Sequence, residues 1–157
     1  MKKTIASLIV LLLIAGQVCA QKTNGELYHG FVKYEPGADM GMISLTSSGF
    51  GKKKADCLKD AYKEAFTALL FQGIPGSQYE FPLVPDGSDK KEHPAIKTLL
   101  NEGYMSFVAG STVISENKKT KRLDGAKGLM IVQKITVNYE ALRKYLEQNQ
   151  VIRKFGI

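Results

Sequence analysis

Two basic clusters carry the residue types in this chain with the most evident capacity for chemistry. In the first, Gly49-Phe50-Gly51-Lys52-Lys53-Lys54, two glycines and three lysines stand directly ahead of a helical pattern. Free N–H groups at a helix start favour an anion, and glycine permits close approach. Gly49, Gly51, Lys52 and Lys53 are therefore candidates for holding a phosphate or carboxylate. The spacing is not that of a P-loop, whose glycines lie further apart and are followed by Lys-Ser or Lys-Thr. A tight strand-to-helix turn with solvated lysines is the plainer reading. The second cluster, Lys118, Lys119, Lys121 and Arg122, suits anionic lipid headgroups or an acidic protein partner. Its plainer reading is a solubilising loop.

The remaining reactive types are sparse. Cys57 stands one turn inside the same helical pattern, near Lys53 and Lys54, where a thiol could be activated. Its position among alanines instead predicts a buried, inert group. His29 and His93 lack any Cys-x-x-Cys, His-Glu-x-x-His or carboxylate companion, so neither a metal nor a cofactor is expected. Gly-x-Ser-x-Gly is absent, and Asp56, Asp60 and Glu64 read as the solvated face of a helix. No aromatic-basic interleaving accompanies the lysines, which speaks against nucleic acid as a partner.

Composition sets the outer bounds. The 157 residues are 44% hydrophobic and 24% charged, ordinary values that exclude a wholly disordered chain, a collagen-like repeat and a polytopic membrane protein. Met1 to Ala20 reads as a secretory leader: Lys2 and Lys3, an apolar run from Ile5 to Ala15, then Val18 and Ala20 at the positions of a small-residue cleavage site. The run is too short for a spanning helix, which needs about 20 residues. Cleavage after Ala20 would leave Cys57 as the one cysteine and bring the formal charge from +7 to +5. The rival reading makes Cys19 the lipid-modified first residue of a lipoprotein, although Val18 directly before it departs from that pattern.

Periodicity supplies the scaffold for these residues. Residues 21–41 form an irregular lead in which Phe31 to Tyr34 could be a short strand, and 42–157 form one domain. From Met42 the chain alternates as a half-buried strand, with Ser47 to Gly51 breaking the period. A helix from about Lys53 to Gln72 carries Cys57, Ala61, Ala65 and Ala68 on one stripe and stops at Gly73. A Pro-rich loop follows, with Tyr79 to Phe81 as a brief edge strand. Next come a short helix, Pro94 to Asn101, and two strands, about Tyr104 to Ser115 and Gly128 to Val137. The connection from Glu116 to Gly125 is expected to project from the fold. Asn138 should cap a last helix, Tyr139 to Gln148. The expected fold is α+β: an antiparallel sheet of three to four strands with the long Ala-rich helix and the C-terminal helix on one face.

The strand ending in Gly-Phe-Gly and the helix bearing Ala55, Ala61, Ala65, Leu69 and Leu70 before Gly73 resemble small exported domains of Gram-negative envelopes. These are the N-terminal domain of the flagellar assembly protein T and the Helicobacter-type outer-membrane lipoproteins. With the ending from Asn138 to Gly156, the chain also looks like accessory proteins of type VI secretion. The resemblance implies a non-catalytic part that contacts an envelope protein partner, and it carries over no catalytic residue. The expectation is thus an exported accessory or binding protein of the periplasm, or of the outer membrane if Cys19 is lipidated. Two alternatives stand beside it. One is a ligand carrier with a pocket lined by Tyr79, Phe81, Tyr104 and Phe107, and the other is a small exported enzyme using Cys57 or His93.

Overall fold

The computed structural model describes residues 27–85 and 90–154. The leader with Cys19, the Asp86-Gly87 turn and Phe155 lie outside the described residues. Four strands, β1 (Val32–Glu35), β2 (Met42–Gly51), β3 (Val108–Lys121) and β4 (Lys127–Asn138), form an antiparallel sheet in the order β1-β2-β4-β3. Helices α1 (Lys54–Phe71), α2 (Pro94–Asn101) and α3 (Tyr139–Gln148) complete the α+β fold.

Register shows which sheet face meets the helices. Ile43, Leu45, Ser47, Gly49 and Gly51 of β2 lie opposite Val137, Ile135, Gln133, Ile131 and Leu129 of β4. This shared face meets α1, whose buried residues include Cys57, Ala61, Ala65 and Ala68. Two polar side chains are fully buried there because the helix backbone is within their reach. Ser47 Oγ donates to the Ala61 carbonyl at 2.8 Å, and Gln133 Nε2 donates to that of Leu58 at 3.2 Å. Each polar group thereby finds the partner that burial demands. Leu142 and Leu146 of α3, with Ile96 and Leu99 of α2, close the apolar core.

The contact between α1 and β2 is unusually close. A methyl group at Gly49 would stand 2.0 Å from the Cys57 carbonyl oxygen and 2.4 Å from the Ala61 nitrogen. At Gly51 it would stand 2.7 Å from Asp56 Cβ. The two glycines therefore serve helix-on-sheet packing. Ser47 to Gly51 do not break the strand but continue it, since the small residues Ser47, Gly49 and Gly51 on the helix-facing side are what the helix requires.

Several expectations change in the same way. Tyr79 to Phe81 form no strand. Their loop is instead pinned beneath α1, where the Leu83 and Val84 amides donate to the Leu69 and Leu70 carbonyls at 3.1 and 2.8 Å. These bonds satisfy acceptors that a helix end leaves open. Residues Gly103–Phe107 form a turn of 3-10 helix, so β3 begins at Val108. β3 then runs on through Lys121, and the long projecting connection shrinks to a turn closed by Arg122 N–H to Ala126 O at 2.8 Å. β3 is polar because it is an edge strand exposed along most of its length.

The short strand expected near Phe31 exists as β1, and the lead does more than supply it. The Tyr28 amide donates to the Lys121 carbonyl at 2.7 Å, and the Ser48 amide donates to that of Phe31 at 3.1 Å. The segment thus joins the outer edge of β3 to the edge of β2. The expected caps also form: Asn138 Oδ1 accepts the Ala141 amide at 2.9 Å, and Gly73 adopts φ +78° after α1.

Replacing Gly49 by Ala should destabilise the fold by roughly 3 kcal/mol, because backbone on both sides must move. The readout is a lower urea midpoint at unchanged slope. Gly110→Ala, at a position with nothing within 4 Å of the added methyl, should stay within about 0.5 kcal/mol of the parent.

Candidate functional site

The two basic clusters come together at one end of the sheet. Gly51, just before Lys52 and Lys53, pairs with Leu129, while Thr120 pairs with Gly128 and Lys121 with Lys127. Glu116 ties the clusters: its carboxylate lies 3.6 Å from Lys54 Nζ and 3.9 Å from Lys118 Nζ. Arg122 makes an ion pair with Asp124 at 3.5 Å and lies over the Phe50 ring. Lys52, Lys53, Lys119, Lys121 and Lys127 are exposed and make no ion pair among the described residues. This surface is solvated, and its charges suit an extended anionic face better than one buried anion.

The anion pocket expected at the start of α1 is not assembled. Gly49 and Gly51 are covered by α1 itself, and the Lys53 amide donates to the Asp56 carboxylate at 3.3 Å. The chain's own carboxylate therefore takes the place an anion would occupy. Lys52 and Lys53 remain as part of the basic end.

Asp60, read from the sequence as a solvated helix residue, has a different role. β1 starts too late to pair with the Phe50 amide, and Asp60 Oδ2 accepts that N–H at 2.9 Å. The Tyr28 hydroxyl lies 3.4 Å from the same oxygen and 3.3 Å from the Ser48 carbonyl. Burial, then the neighbouring Asp60 charge, raise the Tyr28 pKa to about 12. Burial and Asp60 also push the Glu64 carboxyl above its ordinary range. Helical spacing alone could not reveal this, since the partners come from the end of β2 and from the lead before β1.

Cys57 is 0% exposed, its sulfur 3.2 Å from the carbonyl oxygens of both Lys53 and Leu129. Burial and then the Asp56 charge raise its pKa, opposite to what a nucleophile needs. His93 caps α2, Nδ1 accepting the Ala95 amide at 3.2 Å, and His29 is exposed. Among the described residues no group of three or more His, Cys, Asp or Glu stands close enough to hold a metal. No helix among them is long and apolar enough to cross a membrane.

A second site lies at the other end of β4. There a groove of about 640 Å³ opens between the Pro-rich loop, the start of α3 and the tail after it. Tyr79 and Tyr139 stack with ring centroids 3.6 Å apart, and Phe81 at the groove is 82% exposed. Of the four aromatic residues expected to line a pocket, Tyr79 and Phe81 do so. Tyr104 is buried against Tyr62 and Phe66, and Phe107 packs on Tyr145.

The Cys57 thiol should resist a water-soluble disulfide reagent in the native protein and react fully in denaturant. Tyr28 predicts an alkaline limit. Its folded pKa lies above the ordinary value near 10, so the folded state holds the proton more tightly between those values. Stability should be complete below about pH 10 and fall as pH rises towards 12. Tyr28→Phe should flatten that fall, measured by thermal melts across the range. In comparison with known proteins, no family model, curated protein or solved structure matches the chain.

Proposed function

We propose that the chain is a non-catalytic binding protein of the bacterial cell envelope that engages an acidic surface of a protein partner through its basic end. The observation that carries this reading is the joining of the two lysine clusters through Glu116. Residues from the start of α1 and from the β3–β4 hairpin form one charged face there. Such a face speeds association and sets orientation, with less effect on intrinsic affinity. The envelope location rests on the leader pattern of Met1 to Ala20, and the accessory role on the resemblance of residues 42 to 73. The burial of Cys57 favours contact over catalysis, because the thiol that the enzyme alternative would use is not accessible.

The test is chemical cross-linking in intact envelopes, comparing the parent with Lys118→Glu, Lys119→Glu and Lys121→Glu combined. The parent should capture a defined acidic protein, and the variant should lose it while keeping its circular dichroism and melting temperature. Capture should also weaken as salt rises, since the exposed charges are screened over about 8 Å at physiological ionic strength. Undiminished capture by the variant overturns the proposal. Charge-dependent sedimentation with anionic vesicles and no protein capture would replace the protein partner with a lipid surface.

A further inference from the structure

We infer that the groove between the Pro-rich loop and α3 binds a small organic anion with an apolar body. Its volume of about 640 Å³ falls within the range of ligand pockets. Tyr79, Phe81, Leu83, Tyr139 and Ile152 supply apolar and aromatic surface. Phe81 is the telling residue: a phenyl ring 82% exposed has no packing role in the free protein and is available to cover a ligand.

Charge selects the anion. Lys90, Arg143 and Arg153 line the groove, and among the described residues no carboxylate lines it with them. Lys90 spends one N–H on the Val151 carbonyl at 2.9 Å and has two left. Arg153 is exposed and makes no ion pair among the described residues. Glu140 and Glu147 line the adjoining depression, and Glu147 accepts from Arg143 Nε at 3.0 Å. A neutral apolar ligand would gain nothing from the exposed Arg153 or from the two remaining N–H groups of Lys90, whereas a carboxylate, sulfonate or phosphate at that end would be attracted by both charges.

The site lies away from the basic end. β4 starts at Lys127 in the basic end and finishes at Asn138, immediately before Tyr139 of the groove. From the first to the last of its 12 residues, at about 3.3 Å per step, the strand separates the two by roughly 36 Å.

The probes are 1-anilinonaphthalene-8-sulfonate and N-phenyl-1-naphthylamine, which share their rings and differ in the sulfonate. The purified chain should bind one sulfonated dye, about tenfold more tightly than the neutral one. Arg153→Glu should weaken the sulfonated dye about tenfold and leave the neutral dye unchanged. Phe81→Ser should weaken both, with each variant's circular dichroism confirming the fold. Charge reversal at Lys118, Lys119 and Lys121 should leave both dyes unaffected, which separates this site from the proposed partner surface. Equal affinity for the two dyes, indifference to Arg153→Glu, or loss of binding on reversal at the basic end would each overturn the inference.

Discussion

The fold depends on how closely α1 can lie on β2. Gly49 and Gly51 on the strand, and Cys57 and Ala61 on the helix, remove the side-chain layer that normally separates a helix from a sheet. The buried Ser47 and Gln133 can then bond helix carbonyls, and Asp60 can reach past the strand edge to the Phe50 amide. With larger residues at the two glycines, these polar groups would be buried without partners, which costs more than the hydrogen bonds gain in net terms. Packing therefore accounts for the glycines, and the lysines after them are left to act at the surface.

Where hydrophobic period and capping chemistry operate locally, the sequence was readable. Pro94 to Asn101 falls where its apolar spacing puts it, and Tyr139 to Gln148 where its spacing and its cap, Asn138, put it; the cap that His93 gives the former was not legible. Where tertiary contact overrides the pattern, reading fails. The second half of β2 looks irregular because Ser47, Gly49 and Gly51 answer to the helix above them, while Ser48, on the other face, accepts from the Phe31 amide. The second half of β3 looks like a loop because an exposed edge strand has no buried face to impose alternation. At the candidate sites, the clusters Lys52–Lys53 and Lys118–Arg122 were visible separately, but their meeting depends on the register of β4. Two of four pocket aromatics were correctly grouped. Tyr104 and Phe107 could not be told from them, because the same ring serves a core or a groove.

The charge distribution has a simple physical form. Cations gather at both ends of β4, but their settings differ. At the hairpin end they lie on open strand and turn surface, where water screens each one. At the α3 end they border aromatic and aliphatic walls, where a bound anion would lose water and each attraction would strengthen. On the two proposals above, the ends of one strand would offer one long-range, weakly selective attraction and one short-range, shape-dependent attraction. Neither requires the rigid helix–sheet core between them to move.

The central strand pair joins β2, from the first third of the polypeptide, to β4, from the last. A ribosome must therefore deliver nearly the entire message before the middle of the sheet can zip together, and Tyr28 must likewise wait for Lys121. Until then the nascent product has its helices, its local turns and the short β1–β2 pair, with α1 against one side of β2, to organise it. Premature termination anywhere before β4 would leave β2 without its main hydrogen-bonding neighbour, so half-made copies would be sticky fragments and not smaller working versions.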